Sequence, residues 1–466
     1  MPRSPVIAVI GAGFTGTLTA LQLLRTGPAD AQIYLIDKSP GLGRGLAYGT
    51  HNPNHWLNVR AGNMSAFPDQ SDHLIRWLTD RRPDTITPGA DAFITRGEYG
   101  DYLSSLLREA IAGPDGARRL VIVPDQAVSL SFDGGGARLG LAMGHSLSID
   151  AAVLAIGNLP PAAPRHLGLE ALDRQRFAPD PWASDALEGL EPDASVLLLG
   201  SGLTMVDIAL DLVERGHRGA LIALSRRGLA PHRHATVGPV APPPGDLSRL
   251  SLSAKVRRSR VRAAQVGWRA VIDELRPIVQ SLWRDASPTE RARFLRHLRP
   301  WWDVHRHRMA PVVADQIDAL RAEGRLRVLA GRLLSAQAEP DGVSLDWRAR
   351  GQVAPARMTV GRIINCTGTG ADMRRAGDPL LTDLLDQGAI RPNPMGLGLD
   401  IDATCQVIGA AGQALRPLYA AGPITQGYAW EVTAVPDIRN QVADLAATLT
   451  ARLDLQARRA DARVAF

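Results

Sequence analysis

The sequence predicts an α/β fold built on two strand–turn–helix–strand units, with a mainly helical insertion in the second. Three observations predict it. From Val6 to Asp37 an apolar run, a Gly-x-Gly turn, apolar residues at helical spacing and a second apolar run follow one another. The same succession recurs from Val196 to Arg227. From about 235 to 320 the chain instead turns basic and helix-like, outside the plan of either unit. The two units are therefore read as Rossmann-like dinucleotide-binding domains.

In the first unit, Val6 to Ile10 ends in Gly11-Ala12-Gly13-Phe14-Thr15-Gly16, and Leu18, Leu21 and Leu24 continue as a helix. Gly11 permits the tight turn, Gly13 lets backbone approach a pyrophosphate, and Gly16 lets the helix pack on the strand. Phe14 and Thr15 open the helix, whose free N–H groups and positive dipole end favour an anion. Asp37 ends the next strand, 26 residues beyond Gly11, where a carboxylate accepts hydrogen bonds from a ribose hydroxyl; Lys38 beside it is a further candidate contact. A second glycine-rich loop, Gly41-Leu42-Gly43-Arg44-Gly45, brings backbone and Arg44 close to a flat ligand, or is a plain surface loop.

Composition narrows the classes. A length of 466 residues corresponds to about three domains and allows large cores. Cys366 and Cys405 are the only cysteines and form no CxxC pair, which argues for a reducing compartment and against dithiol redox chemistry. The net charge is +6 and the pI near 9.8. Lys38 and Lys255 are the only lysines, and the arginines spread over the whole chain. That is no nucleic-acid face. The apolar N-terminal run is a strand and not a signal peptide, and no stretch of eighteen apolar residues would cross a membrane. A cytoplasmic protein is expected, and a homo-oligomer is compatible with the sequence.

His55 to Asp69 lacks a clean period and reads as a shaped loop. Its Asn58, Met64 and Phe67-Pro68-Asp69 resemble the flavin-containing monooxygenases, although the step from Asn to Phe is one residue longer here. The resemblance implies that the Asn58 amide sits beside a flavin ring, near a bound oxygen adduct, with Met64 also at the cofactor. An asparagine capping a local turn is the other reading. Leu74, Trp77, Leu78 and then Tyr99, Leu103, Leu106 have helical spacing. Ala151 to Pro161 is a buried strand running into Gly157, similar to the junction that ends the first FAD segment of two-dinucleotide-domain flavoproteins.

Residues 160–193, rich in Pro, Ala and acids, read as an interdomain linker. Phe177 to Trp182 lies where Baeyer–Villiger and related monooxygenases carry a Phe, His, Trp pattern, but the His is absent. Trp182 is expected to pack between domains.

In the second unit Val196 to Leu199 leads into Gly200-Ser201-Gly202-Leu203-Thr204-Met205, a helix through Val206, Leu210 and Val213, and a strand, Ala220 to Leu224. Met205 replaces the third glycine. Arg226, followed by Arg227, lies 26 residues beyond Gly200, the offset that separates Gly11 from Asp37. A carboxylate repels a 2′-phosphate, whereas a guanidinium grips one bidentately. FAD is therefore expected on the first unit and NADPH on the second.

The insertion opens with His232-Arg233-His234 and a Pro-rich loop, Pro239 to Pro244. Its most distinctive piece is Arg299 to Met309, RPWWDVHRHRM. The histidines lack metal-ligand spacing, so no metal is expected, and one Trp–Arg patch is weak ground for nucleic acid. Two readings stay open: a lid whose arginines orient a carboxylate-bearing substrate, and helix packing with snorkelling arginines.

Arg325 to Ala330, Leu333 to Ala338 and Val343 to Trp347 read as short strands closing the second domain. Arg362 to Gly368 resembles the junction where such flavoproteins return to the FAD domain, which makes Gly368 a candidate contact. Pro417 to Ala421 ends in Gly422-Pro423 where many FAD proteins have Gly-Asp. Trp430 to Thr433 then leads into a helix with Pro436 near its first turn. In related folds that helix points its N-terminus at the flavin pyrimidine edge, so Thr433 joins the candidates. The expected division is 1–160 FAD domain, first segment; 161–194 linker; 195–358 NADP domain with the insertion; 359–453 FAD domain, second segment; and 454–466 a frayed tail.

The whole chain resembles FAD/NAD(P)-binding proteins whose relatives include N-hydroxylating enzymes, among them aspartate N-monooxygenases. The resemblance implies an NADPH-using monooxygenase that oxygenates a small amine or amino acid through a flavin peroxide. A flavin reductase or oxidase serving a small acceptor, and a non-catalytic flavin-binding sensor, are the alternatives.

Overall fold

The computed structural model describes residues 4–39, 41–81, 89–133, 136–235, 245–370 and 372–464, with side chains described as far as 455 apart from that of 416. The chain forms two compact units. Met1–His51, Val59–Leu159 and Ala371–Phe466 make the first, and Asn52–Asn58 with Pro160–Gly370 the second.

The chain opens with β1 (Val6–Ile10), α1 (Phe14–Thr26) and β2 (Gln32–Ile36). These match the apolar runs, because a strand buried on both faces needs continuous apolar residues. After α2 (Gly45–Tyr48) come α3 (His73–Arg81), α4 (Arg96–Ala112) and α5 (Pro114–Arg119), then β3 (Leu120–Val123). Thr95 caps α4 by accepting from the Glu98 N–H. Next is an antiparallel meander, β4 (Ala127–Asp133), β5 (Gly136–Leu141) and β6 (Ser146–Ile149), followed by β7 (Ala151–Leu154).

The second unit contains β8 (Phe177–Ala178), β9 (Val196–Leu199), α6 (Leu203–Glu214) and β10 (Leu221–Ser225). The insertion is helical: α7 (Leu252–Val266), α8 (Trp268–Leu275), α9 (Val279–Asp285), α10 (Pro288–Arg293), α11 (Arg299–Arg306) and α12 (Pro311–Ala322). Its Pro239–Pro244 loop lies outside the described residues. Strands β11 (Leu326–Glu339), β12 (Gly342–Ala349), β13 (Ala356–Val360) and β14 (Arg362–Asn365) complete the unit. The chain then returns to the first unit as α13 (Pro379–Asp386), β15 (Gln406–Ile408), β16 (Ala414–Ala420) and α14 (Val435–Val464).

The first sheet has the order β15-β16-β7-β1-β2-β3, and the second β13-β12-β11-β10-β9-β14-β8. In the first, β1 lies between β2 and β7 and is parallel to both. In the second, β9 lies between β10 and β14 and is parallel to both. Connections leave β1 and β9 in opposite directions, so each is a switch point where a crevice opens beyond the carboxyl ends of the strands. Both glycine turns stand there.

The structure corrects three expectations. Residues 161–194 are not a free linker, because β8 pairs with β14 (Ile363 opposite Phe177) and extends the second sheet. Arg362, 1% exposed, fastens the same stretch by donating to the carbonyls of Gln175, Ala186 and Glu188. A proline-rich sequence signals missing regular structure, and here side-chain hydrogen bonds fix the path instead. Two of the three short strands expected after Arg325 are one, since β11 passes from parallel pairing with β10 (to Ala330) to antiparallel pairing with β12 (from Gly331) without a break and then runs through a bulge between Leu333 and Ser335. The expected frayed tail after 453 continues as helix to Val464, since extending a formed helix fixes one residue per added hydrogen bond.

Candidate functional site

In the first unit the Gly11 N–H donates to Ile36 O at 2.8 Å, and the residue has φ of 103°. A Cβ there would lie 2.5 Å from Ala155 O. A Cβ on Gly16 would come within 1.7 Å of Gly11 O, so only hydrogen lets α1 follow the turn this closely. Asp37 has a part in the turn as well. Its Oδ2 accepts from Ala12 N–H at 2.6 Å and its Oδ1 from Ser39 N–H at 2.7 Å. The carboxylate thus ties the end of β2 to the glycine turn, and each oxygen keeps acceptor capacity for a ribose. Lys38 next to it is exposed.

The second glycine loop is built against the first. Gly43 N–H donates to Ala12 O at 3.0 Å, and a Cβ on Gly45 would lie 2.9 Å from Gly13 Cα. Arg44 is ion-paired with Asp101 of α4, which holds the loop down and engages its guanidinium. From the opposite side, Gly422 has φ of 79°, and a Cβ on it would meet Thr15 Oγ1 at 2.4 Å. Gln441 accepts from Gly422 N–H at 2.8 Å and donates to Thr425 Oγ1 at 2.9 Å. Gly157 has φ of 71° with open space where a Cβ would stand. Phe14 and Met64 are buried, so Phe14 offers a ligand only backbone, and Met64 C=O accepts from Tyr99 Oη at 2.9 Å. Thr433 is exposed, and its N–H donates to Glu431 O at 2.7 Å.

In the second unit Gly200 has φ of 124°, and a Cβ there would lie 2.2 Å from Cys366 O. Ser201 Oγ donates to Leu229 O and lies 2.7 Å from Ser225 Oγ, which accepts from Gly228 N–H at 3.0 Å. These bonds shape the loop that carries the arginines. Arg226 is exposed and, among the described residues, has no hydrogen-bond or ion-pair partner. Arg227 instead donates to Arg296 O at 3.4 Å. Leu203 and Thr204 open α6, Gly202 stands before it with open space around its missing Cβ, and Met205 is fully buried. Gly368, φ 92°, also faces open space. It lies in the second unit, not at the start of the returning segment, because β14 belongs to the second sheet.

The helix starts at these two turns lack side-chain caps, as do those of α5 and α8, which also begin at a glycine. Side chains cap α4, α7, α10 and α13 (Thr95, Ser251, Ser287, Asp378). At α1 and α6 the capping residues are Gly13 and Gly202, with no side-chain cap. Their first-turn N–H groups are left to an anion, and the open backbone gives it room. The residues present fit a dinucleotide pyrophosphate at both turns.

Asn58 falls with the second unit, in the short stretch Asn52–Asn58. Its C=O accepts from His234 Nε2 at 2.9 Å. Asn52 and Asn54 donate to Asp211 and Glu214 of α6, at 2.9 and 2.8 Å. His55 packs edge-on against Trp182, centroids 6.2 Å apart. This contact of Trp182 lies inside the second unit. In the insertion, Arg308 is 2% exposed and is bound to Asp273 at 2.8 Å and to His305 O at 2.8 Å, as packing requires of it. Among the described residues no group of three His, Cys, Asp or Glu that could hold a metal is gathered, and no helix is long and apolar enough to cross a membrane.

Gln441 and Asp101 support the site and went unnoticed in the sequence, and Tyr99 stood out there only for its helical spacing. Gln441 and Tyr99 bond to backbone atoms of distant residues and Asp101 to the Arg44 guanidinium, roles with no local motif.

Two parallel-sheet units, each with an uncapped glycine turn at its switch point, define the two-dinucleotide-binding class of α/β protein. Residues 8–159 match the FAD-NAD(P)-binding family model. The chain is similar to nitrosuccinic acid synthase npaA of Aspergillus oryzae, 30% identical over 238 residues covering 46% of this chain and 36% of that protein. It is also similar to an L-aspartate N-monooxygenase (nitrosuccinate-forming) of Streptomyces cremeus, 37% identical over 261 residues covering 46% of this chain and 38% of that one. The match thus spans little more than a third of either relative's length. Among solved structures, the reduced form of ornithine hydroxylase from Pseudomonas aeruginosa superposes with a TM-score of 0.65 at 17% identity, over 97% of this chain and 100% of that one. The fold is that of these two-domain hydroxylases.

Proposed function

We propose that this chain is an FAD-dependent, NADPH-using N-monooxygenase acting on the amino group of a small carboxylate-bearing substrate, with aspartate the first candidate. The observation that carries the proposal is the pairing of two uncapped glycine turns with opposite charge beyond them, Asp37 after the first and the unpartnered Arg226 after the second. The 37% identity to an aspartate N-monooxygenase supports the reaction and substrate class.

Gly11, Gly13 and Gly16 would hold the FAD pyrophosphate at α1, with Asp37 on its ribose and the Gly43–Gly45 backbone alongside. Gly200, Gly202 and the first turn of α6 would hold NADPH, with Arg226 on its 2′-phosphate. FAD, when bound, supplies hydride acceptance from NADPH and activation of dioxygen. The chain supplies binding, orientation and exclusion of water. In this reading the Asn58 amide, its backbone carbonyl held by His234, supplies a donor and an acceptor to the oxygen step.

With FAD, NADPH, dioxygen and aspartate, the purified protein should form an N-oxidised product detectable by mass spectrometry. Asn58→Ala should still oxidise NADPH but divert it to hydrogen peroxide, so product per NADPH falls while FAD reduction persists. If product yield in that variant tracks NADPH oxidation as in the wild type, Asn58 has no part in the oxygen step.

A further inference from the structure

The first unit contains a file of aromatic rings that leads away from the Gly13 turn. Phe14, at the start of α1, lies 5.9 Å from Tyr48 and 6.2 Å from Tyr99 between centroids. Tyr48 is 4.8 Å from Tyr99, Tyr99 is 5.6 Å from Tyr102, and Tyr102 is 5.4 Å from Trp77. Tyr99 and Tyr102 are 0% exposed, whereas Trp77 is half-buried on α3 under the Arg81 guanidinium, 5.0 Å from its centroid. Three of the chain's six tyrosines stand in this file, so redox-active rings are concentrated between the turn and the surface.

Packing alone asks only that the rings touch. The phenols do more. Tyr102 Oη accepts from Ala66 N–H at 3.2 Å and lies 2.9 Å from His73 Nδ1. In the Nε2–H tautomer of His73, the Nδ1 lone pair accepts the hydrogen bond of the Tyr102 phenol. Tyr99 Oη donates to a carbonyl, Met64 O, which cannot take the proton away. Burial pushes the Tyr48 and Tyr102 phenols up to about 12, so both are protonated at rest and lose an electron readily only where a base receives the proton. Burial, then the Arg76 charge, hold His73 below its usual pKa, so it is a free base at neutral pH.

We propose that Tyr102 and His73 form a proton-coupled one-electron site that drains oxidising equivalents from the region of the Gly13 turn toward the surface. A one-electron oxidant removes one electron from the Tyr102 ring as the phenolic proton crosses to His73 Nδ1. The products are a neutral phenoxyl radical, an imidazolium and the oxidant reduced by one electron. A soluble one-electron reductant of the ascorbate class returns the electron by way of Trp77, and His73 returns the proton. The Arg81 cation over Trp77 makes that ring harder to oxidise, so the radical rests on Tyr102 until the reductant arrives. In the working enzyme the oxidant is the hydroperoxyl radical from one-electron leakage to dioxygen, reduced by the Tyr102 electron and a solvent proton to hydrogen peroxide, and this source alone rests on the proposed monooxygenase activity.

The test supplies its own oxidant. The full-length FAD-loaded protein is oxidised by a flash with a ruthenium tris-bipyridine photosensitiser and persulfate, frozen, and examined by electron paramagnetic resonance. A neutral tyrosyl signal is expected at mildly alkaline pH. Tyr102→Phe should lose it, and His73→Gln, which can accept the hydrogen bond but not the proton, should lose most of it. The charged groups facing His73 are Asp72 and Arg76 beside it, Arg25 from α1, Asp69 from the preceding loop and Glu109 of α4. Acidification through the lowered His73 pKa should reduce the wild-type signal and leave that of Tyr102→Phe unchanged. A full signal in Tyr102→Phe, or a full signal in a folded His73→Gln, overturns the proposal. A protein that makes this radical but hydroxylates no amine defeats the functional reading alone.

Discussion

Arg226→Ala raises the KM for NADPH by about ten- to a hundredfold, because a hydrogen bond to a charged group contributes about 1.5–3 kcal/mol and 1.4 kcal/mol is tenfold. The KM for NADH changes by no more than about twofold, as expected of an exposed substitution away from the bound group. The asymmetry follows from position. Arg226 stands exposed at the end of β10 with no partner among the described residues, so its whole donor set is available to a 2′-phosphate. Arg227 is already donating to Arg296 O, and its replacement should have the smaller effect. Steady-state kinetics with both nucleotides decide the matter. Equal losses for NADPH and NADH would remove the 2′-phosphate from the second unit.

Gly16→Ala should yield protein that no longer retains FAD and unfolds at lower temperature. The added Cβ would lie 1.7 Å from Gly11 O and 2.9 Å from Gly11 C, and both are backbone atoms with no rotamer to yield. The start of α1 must move off the turn, which costs about 1–3 kcal/mol by the usual penalty for overpacking and displaces the first-turn N–H groups from a pyrophosphate. Gly41→Ala is the control, since nothing lies within 4 Å of the added Cβ. Flavin absorbance after gel filtration, with thermal melting on the same samples, reads both effects. Full flavin in Gly16→Ala would mean that FAD does not depend on this turn.

The parts legible in the sequence are those whose physics is local. Gly11 and Gly16 announce a turn and a close approach that only glycine permits, and the two apolar runs announce strands buried on both faces. The offset to Asp37 and to Arg226 follows from the length of the helix between strands. Other parts were out of reach because their cause lies far along the chain. The stretch 161–194 looks like a linker by composition, yet its place is set by pairing with β14 and by the hydrogen bonds of Arg362, almost two hundred residues away from Gln175. Met205 weakens the second glycine pattern on paper. In the structure it is fully buried, so the start of α6 accommodates a side chain where α1 has none to spare. The loop from His55 to Asp69 resembles a flavin-monooxygenase loop in sequence, but Asn52 and Asn54 just before it bond to α6 of the second unit and Asn58 C=O accepts from His234. No periodicity reports such side-chain partners.

The proposed function joins NADPH oxidation to N-oxygenation of a small carboxylate-bearing amine on one chain. Its most direct test is a reaction of the purified FAD-loaded protein with NADPH and aspartate under isotopically labelled dioxygen, followed by mass spectrometry of the product. Label on the substrate nitrogen, formed in step with NADPH consumed, is the predicted result. NADPH oxidation that delivers the label only to peroxide or water, with aspartate and other small amines untouched, would contradict it.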